Sequence, residues 1–417
     1  MLQVSERLSW PLQGRIFDTA VVARQRAAIL TAFLLPWSTS GLAVALAIFL
    51  VLAVLTIKPV DVLRTLHSPA GLVPILLVFL MCIGMLWSVE PLGPGGVSHY
   101  VKLLLIPIVM SIEFTPRQSI QVGYGFLGGC LFVLILSVLS FWIALPWKHY
   151  APGIPFKENA VQSGNFVLCA FGLGINAVLT WKQGNKRLSA LSVCLAAAFT
   201  IDVFAIYISK TGVLMAAALL GLLLVHTEGW KRSALIAILA SMTAIGALSL
   251  STEAQRRLSE ISTDINAEIS PSGERGALRA TISTASRVDF WTKAMGFIRE
   301  APLLGHGTGS TKSLYQSLEA SRPSPYGEAV PDPHNQFLAI AIQVGLLGGF
   351  LLVAMWISHA WTFRGSGVVN ALGQAVVLQN VLGSLFNSHI STITQGSLYC
   401  LAVGLLAGLI ARDEAKR

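Results

Sequence analysis

Charged residues are scarce in this sequence, and their scarcity excludes an ordinary soluble protein. Only 12% of the 417 residues are Asp, Glu, Lys or Arg, whereas soluble chains average about 25%. Hydrophobic residues make up 54% of the chain, and runs of roughly 20 apolar residues, the length that crosses a bilayer as a helix, recur along it. The sequence therefore predicts an all-α polytopic membrane protein.

Motifs of metal and nucleotide chemistry are also absent. The five cysteines lie in apolar runs and none forms a CxxC pair, so neither a disulfide framework nor a thiolate metal site is indicated. There is no Walker A loop, no HExxH, no GxGxxG between a strand and a helix, and no DxD pair outside the apolar runs. We therefore expect no cofactor, no metal and no nucleotide.

Twelve apolar stretches predict about 12 transmembrane helices. They cover residues 27–38, 40–57, 71–88, 101–113, 120–145, 161–181, 188–208, 211–226, 231–250, 335–358, 368–388 and 394–411. Lys and Arg concentrate in short cytoplasmic loops. With the N-terminus inside, the cytoplasmic segments hold sixteen of these cations, and the short outer connections hold four, which are Lys102, Lys148, Lys157 and Lys210. Both termini are therefore predicted to be cytoplasmic.

The spans divide the chain into three parts. Residues 1–250 are predicted to form an N-terminal transmembrane bundle of about nine spans, residues 251–334 a long outer loop, and residues 335–417 about three spans with a short cytoplasmic tail. The loop carries ten acidic and nine basic residues, so it offers no basic surface for nucleic acid.

One part of the loop has helical periodicity. Val288, Trp291, Met295 and Ile298 recur at helical spacing within residues 286–300. They predict an interfacial helix with one apolar face toward the membrane surface or the rim of the bundle.

A histidine stands at the mouth of the tenth predicted span. The sequence reads PDPHNQFLAI over residues 331–340, and His334 and Asn335 directly precede the apolar run. One interpretation is a polar helix cap. The other is a general base, because an imidazole with a pKa near 6.5 is largely neutral at neutral pH.

Two cations on the predicted outer side are candidates for binding an anion. Arg287 opens the interfacial helix, and a guanidinium can donate two parallel hydrogen bonds to a phosphate. Arginines also flank membrane segments simply to reach the interface. Lys210, in ISKTG, lies alone between two spans, against the charge bias of the outer side.

Three further residues have a structural and a functional interpretation. His306 lies in GHGTGS, residues 305–310, whose glycines either expose N–H groups to a phosphate or make a turn. His389 lies near the outer end of span 368–388, a polar span predicted to face the bundle interior. Asp202 lies within span 188–208, where an acid is a functional candidate.

The order of these features resembles a known family. The chain presents a many-span N-terminal part, then SRVDFW in the outer loop, then PLLGHGTGS, then HNQFLAIAIQVGLLGG opening a span. This order resembles the O-antigen ligase and polymerase superfamily and is most similar to the O-antigen ligases of Gram-negative bacteria. The sequence-specific part of the resemblance covers about residues 284–350.

The resemblance implies a GT-C-like, metal-independent glycosyltransferase of the bacterial inner membrane, with its active site facing the periplasm. It would move O-antigen polysaccharide from undecaprenyl diphosphate to a sugar hydroxyl of the lipid A–core oligosaccharide. The family's essential histidine corresponds to His334, as general base, and an arginine to Arg287. Lys210 stands where the family usually has a second arginine; it keeps the charge but lacks the planar fork. Without a nucleophilic carboxylate, direct attack would invert the anomeric carbon.

Two other functions stay open. An O-antigen polymerase uses the same lipid-linked donor and differs in its acceptor. A lipid or solute transporter places its ionisable residues near the bilayer midplane, whereas the charged candidates of this chain lie at the predicted outer rim.

Overall fold

Fourteen α-helices and no β-strand form in the part of the chain that the computed structural model describes, residues 14–93, 95–147, 151–156, 159–206, 209–229, 231–232, 282–321 and 332–416. In chain order they are α1 Arg15–Leu34, α2 Thr39–Thr56, α3 Pro59–Leu66, α4 Pro69–Gly84, α5 Leu105–Met110, α6 Pro116–Leu139, α7 Asn159–Lys182, α8 Lys186–Ile201, α9 Lys210–Glu228, α10 Ile282–Glu300, α11 Thr311–Ser321, α12 Gln336–Thr362, α13 Val368–Phe386 and α14 Ile393–Lys416.

Nine of the described helical segments are long and apolar enough to cross a membrane. They are Thr39–Thr56, Pro69–Trp87, Pro116–Leu139, Ala160–Lys182, Lys186–Phe204, Thr211–Glu228, Gln336–Thr362, Val368–Phe386 and Ile393–Glu414. Each coincides with a predicted span, so the prediction of an all-α polytopic membrane protein is confirmed.

The three other predicted spans differ from these nine. Residues 27–34 of stretch 27–38 are the end of α1, which begins at Arg15, contains four charged residues and is not among the nine. Stretch 101–113 falls on the shorter apolar helix Val97–Met110, which is interrupted by 3₁₀ turns. Residues 233–250, most of stretch 231–250, lie outside the described residues.

Segments predicted to be cytoplasmic meet at one end of the bundle. Lys58 forms an ion pair with Glu113 at 3.0 Å. Arg24 Nη1 donates to Thr56 Oγ1 at 2.6 Å, and Arg412 Nη2 donates to the Met110 carbonyl at 3.0 Å. Charges that the topology assigned to one side therefore lie together, which supports the order of the spans. The opposite end is called the outer end below.

Close packing between α1 and α6 depends on two glycines. A Cβ at Gly125 would overlap the Ile29 carbonyl, and one at Gly129 would overlap the Phe33 carbonyl. Helices in lipid gain little from burying apolar surface against each other, so they associate where small residues let backbones approach. Spacing of four residues puts both glycines on one face of α6.

Polar side chains line the interior of the C-terminal spans. Gln379 and Asn380 of α13 are buried, as predicted for this span. Gln379 Nε2 donates to Gln395 Oε1 at 2.9 Å, and Gln395 Nε2 donates to Asn165 Oδ1 at 3.1 Å. These bonds join α13, α14 and α7 across the core.

Helix α12 is broken at Val344 and Gly345. Val344 has φ −128° and ψ 24°, and Gly345 has a left-handed φ of 69°. After the break, α12 packs along α4 and α13. The break removes helical N–H partners from the carbonyls of the preceding turn, so these carbonyls need other donors.

The glycine-rich segment 302–310 supplies those donors. The His306 N–H donates to the Ile342 carbonyl at 2.9 Å, and the Gly307 N–H to the Gln343 carbonyl at 2.8 Å. In return the Leu346 N–H donates to the Pro302 carbonyl at 2.8 Å. The segment therefore fills the break and completes its hydrogen bonding. GHGTGS has the structural role of a turn here, which was the alternative to phosphate binding.

The two parts of α12 run in different directions. Trp356 Nε1 donates to Asn380 Oδ1, and Asn335 Nδ2 donates to the Leu385 carbonyl, both at 3.1 Å. On α13 the two contacts are five residues apart, which is ~7.5 Å of helix. Asn335 and Trp356 are 21 residues apart, which would span ~31 Å if α12 were straight. The part before Val344 therefore crosses the outer end of the bundle instead of continuing the span.

Gly345→Ala is expected to lower the thermal midpoint of the purified protein and the yield of folded protein. Its Cβ would overlap the Leu303 carbonyl, and the left-handed backbone alone costs roughly 1–2 kcal/mol with a Cβ. Gly221→Ala in α9 is the matched control, because no atom lies within 4 Å of its added Cβ and alanine favours helix. Equal midpoints for the two variants would contradict the close approach at the break.

Helix α10 packs against protein rather than standing free at the interface. With α11 and the first part of α12 it shares a buried cluster that includes Phe290, Ala294, Phe297, Ile298, Tyr315, Leu338, Ala341 and Ile342. Of the four residues in the predicted apolar face, Trp291 and Ile298 contact this cluster, whereas Val288 and Met295 are not covered by protein. The buried face of α10 is the side that α11 and α12 cover.

An ion-pair network holds α11 on α10. Lys293 Nζ lies 2.7 Å from Asp289 Oδ2 and 3.1 Å from Glu319 Oε2. Burial lowers the pKa of Lys293. Hydrogen bonds to the two carboxylates and their negative charge raise this pKa by more than burial lowers it, so the net shift is upward. The two helices therefore form a stable platform beside the break in α12.

Candidate active site

Three segments meet at the outer end around His334. They are the His334 segment (residues 332–336), the α13–α14 connection (residues 387–392), and residues 99–102 before α5. Gln336 Oε1 accepts from the Ser391 N–H at 3.2 Å, and Lys102 Nζ donates to the Ser391 carbonyl at 3.0 Å. The connection is therefore held between the other two segments.

His334 has a left-handed backbone conformation, which is uncommon for residues other than glycine. Its φ is 52°, the single positive φ of a non-glycine residue in the described ranges. Its N–H donates to Asp332 Oδ1 at 2.8 Å, and its ring centroid lies 6.1 Å from that of Phe290 in α10. The imidazole is half-buried, so it remains reachable from solvent.

Arg287 lies one helical turn before the residues that contact the His334 segment. Phe290 follows it by three positions and Trp291 by four, which places all three on one face of α10. The Trp291 indole N–H donates to the Pro333 carbonyl at 3.0 Å. The structure therefore brings Arg287 to the side of α10 that faces His334.

The Arg287 guanidinium has no ion-pair or hydrogen-bond partner among the described residues. Burial alone lowers its pKa from the ordinary value of 12.5, and the group stays charged. A half-buried cation without a counter-charge is an unfavourable arrangement unless an anion binds there.

Lys210 is the first residue of α9, after the N-cap Ser209. Helix α9 packs along α13, and His226 Nε2 lies 2.9 Å from Gln374 Oε1 near the inner end of the pair. Lys210 precedes His226 by 16 residues, ~24 Å of helix, so its backbone lies level with the α13–α14 connection. It is therefore at the same end of the bundle as His334; its side chain lies outside the described residues.

Asn335 caps α12, as the structural interpretation of the HN pair predicted. Its Oδ1 accepts from the Leu338 N–H at 3.1 Å, and its Nδ2 donates to the Leu385 carbonyl. Because Asn335 takes the cap, His334 is released from that role.

His389 follows Ser388 in the connection and is 2% exposed. Burial lowers its pKa to about 4, so the imidazole is neutral at pH 7, and its ring packs on Gly383. It is brought close to the His334 segment but is closed to solvent, which points to a packing role.

His306 is not brought to His334. Its Nε2–H donates to the Phe297 carbonyl at 2.8 Å, at the far end of α10. The N–H groups of Gly307, Thr308 and Gly309 donate to Gln343 or Gly84. These donors are occupied within the protein, so this segment offers no phosphate cradle through them.

Sequence reasoning missed Lys102 as a structural cation of this end. Its Nζ donates to the carbonyls of Ser391 and Thr392 at 3.0 and 2.8 Å, and His99 Nδ1 lies 3.0 Å from the Ser391 oxygen. The signal was present, because Lys102 is one of four cations on the predicted outer connections. The sequence alone could not show that Lys102 contacts Ser391, because the two residues are 289 positions apart.

Asp202, the acid within a span, is satisfied by neighbours. Ser137 Oγ donates to its Oδ2 at 2.5 Å and Gln162 Nε2 to its Oδ1 at 3.0 Å. The carboxyl group joins α6, α7 and the π turn Asp202–Ile206. Such a closed local network gives no support to a proton path through the membrane.

The arrangement at the outer end can bind an anion and accept a proton. An accessible imidazole beside a half-buried guanidinium provides a base and a fixed positive charge. A second cation at a helix N-terminus adds to the field there. Within the described residues, no group of three or more His, Cys, Asp or Glu side chains could hold a metal ion.

Comparison with known proteins finds a family similarity in this region. Residues 195–353 match the family model described as O-Antigen ligase, a segment that contains Lys210, Arg287 and His334. An uncharacterized protein of Haemophilus influenzae (strain ATCC 51907 / DSM 11121 / KW20 / Rd) is 22% identical over 267 residues, which are 63% of this chain and 64% of the relative, so the chain spans less than two thirds of that relative's length. The family match confirms the resemblance predicted from the sequence.

Proposed function

From its similarity to the O-antigen ligase superfamily, we propose that this chain is a membrane glycosyltransferase that moves O-antigen polysaccharide from undecaprenyl diphosphate to a sugar hydroxyl of lipid A–core. The observation that carries the proposal is Arg287: a half-buried guanidinium with no counter-charge among the described residues, one turn from the contacts to the His334 segment. A lipid diphosphate is the anion that this region of a membrane protein is placed to meet.

The donor side of the reaction needs positive charge. As the bond between the anomeric carbon and the diphosphate breaks, negative charge grows on the leaving oxygen. The Arg287 guanidinium can meet two phosphate oxygens at once. Lys210, at the N-terminus of α9, adds a cation and the positive end of a helix dipole. These fixed charges stabilise the leaving group as it departs.

The acceptor side needs a base. The attacking sugar hydroxyl loses its proton as the new glycosidic bond forms, and His334 takes that proton. A single displacement with no covalent intermediate inverts the anomeric configuration. His334, Arg287 and Lys210 thus have the roles of base, diphosphate ligand and second diphosphate ligand.

The location follows from the same topology. The site lies at the end of the bundle opposite the cytoplasmic cluster of Lys58 and Arg412. We place the protein in the bacterial inner membrane with this end toward the periplasm, where both substrates present their glycans on the outer leaflet. No metal is required in this scheme, so transfer should proceed unchanged in EDTA.

The proposal is tested by complementation of a strain that lacks its O-antigen ligase. Lipopolysaccharide resolved on a gel should regain its O-antigen ladder with the wild-type chain. Lipid A–core alone, with polymer accumulating on its carrier, would exclude the ligase. A change in polymer length without attachment would indicate the polymerase.

Lys210→Ala is expected to lower transfer by roughly tenfold or more, since it removes one of two fixed cations from the diphosphate. Lys210→Arg keeps the charge and should retain most activity. The measurement is transfer rate in membranes with matched protein levels, and Lys312→Ala in α11 is the control. Full activity of Lys210→Ala would remove this residue from the site.

A further inference from the structure

The left-handed backbone of His334 has to be held by its surroundings. A non-glycine residue at φ 52° is disfavoured because its Cβ crowds the following carbonyl. Helix capping does not account for this conformation, since Asn335 and not His334 is the N-cap residue. Neighbouring contacts must therefore fix the conformation and, with it, the direction in which the imidazole leaves the chain.

One carboxylate oxygen makes the central contact. Asp332 Oδ1 accepts from the His334 N–H at 2.8 Å and also from Ser388 Oγ at 2.6 Å. Ser388 is 3% exposed and belongs to the α13–α14 connection. Through this single atom, the backbone at His334 is tied to a segment more than fifty residues away in sequence.

Flanking bonds hold the two sides of this turn. Before His334, the Pro333 carbonyl accepts from the Trp291 indole of α10. After it, Asn335 Nδ2 donates to the Leu385 carbonyl at the end of α13. These bonds fix the neighbours of His334, but among the described residues only the Asp332 carboxylate accepts a hydrogen bond from the N–H of His334 itself.

We infer that Asp332 is a positioning residue for His334: its Oδ1, shared between the His334 N–H and the Ser388 hydroxyl, holds the imidazole toward the acceptor hydroxyl. The inference rests on the proposed function, in which His334 is the base. Asp332 acts through hydrogen-bond acceptance rather than through its charge, because its Oδ1 accepts both bonds from neutral donors, a backbone N–H and a hydroxyl. An amide oxygen at the same place would accept the same two bonds.

The experiment compares Asp332→Ala with Asp332→Asn in purified full-length protein, in nanodiscs with lipid-linked O-antigen and lipid A–core. Asp332→Ala should lower kcat by roughly 10–100-fold with KM for the donor changed by less than about threefold, since a displacement of about 1 Å at a catalytic group costs about a hundredfold. Asp332→Asn should recover activity to within about fivefold of the wild type. Ser388→Ala should fall between them, and Ser321→Ala, an exposed serine of α11, is the control.

Each outcome decides the inference. Wild-type kcat in Asp332→Ala overturns it, and so does an Asp332→Asn variant as slow as Asp332→Ala, which would show that charge matters instead. Should Asp332→Ala fail to fold, Asp332→Asn and Ser388→Ala still separate acceptance from charge. Wild-type activity in His334→Asn would show that His334 is not the base and would overturn the proposed mechanism. Absence of transfer by the wild type would overturn the proposed function, and the inference with it.

Discussion

Replacing His334 by asparagine is expected to lower the turnover of glycan transfer by roughly 10²–10⁴-fold, the usual contribution of a positioned general base. Asparagine is the informative substitute because it tolerates a left-handed backbone better than most residues. The bond to Asp332 uses the backbone N–H of residue 334, so it survives the change. His334→Asn therefore removes the base while keeping the turn.

His306 supplies the matched control for this prediction. It is also a half-buried histidine of the outer region, but its Nε2–H is bonded to the Phe297 carbonyl at the far end of α10. His306→Gln should transfer within a few-fold of the wild type. Thermal midpoints of both variants establish that the folded state is retained. Wild-type turnover in His334→Asn would show that the reaction has another base.

Removing the Arg287 guanidinium is the second large effect. Arg287→Ala should lower kcat/KM by roughly 10²–10³-fold, comparable to the loss of one donor from an oxyanion site. Arg287→Lys should also lose most activity, since a point charge cannot form two parallel bonds to a phosphate. Stability should not fall, because no described residue pairs with this side chain.

Arg299 tests whether the loss is specific to position rather than to charge on α10. It lies on the same helix and is exposed. Arg299→Ala should transfer at the wild-type rate, with the same response to donor concentration. If Arg287→Ala and Arg299→Ala behave alike, Arg287 is a surface arginine that only reaches the membrane interface.

The spans could be predicted from the sequence because they depend on local composition. The length of the apolar runs identified nine of them. The distribution of Lys and Arg predicted which end of each span is cytoplasmic. The break in α12 was missed because Val344 and Gly345 lie within an apolar run that reads as one helix. Only the contact with segment 302–310 shows where the freed carbonyls find donors.

The candidate site was predicted in part. His334, Arg287 and Lys210 were selected by residue type and by side of the membrane, and the structure puts all three at the outer end. Asp332 and Ser388 were not selected, because the bond between them joins positions 56 apart, and a single sequence carries no record of such a contact. The packing of α11 on α10 was not predicted for a similar reason, since it also depends on contacts between separate segments of the chain.

Glycan transfer by the purified wild-type chain is the decisive measurement for the proposed ligase activity. Protein in nanodiscs is given undecaprenyl-diphosphate-linked O-antigen and lipid A–core, and the products are resolved on a gel with undecaprenyl diphosphate quantified. We expect O-antigen attached to lipid A–core, with one undecaprenyl diphosphate released for each glycan transferred. Longer carrier-linked polymer with no attachment to lipid A–core, or no release of undecaprenyl diphosphate, would contradict it.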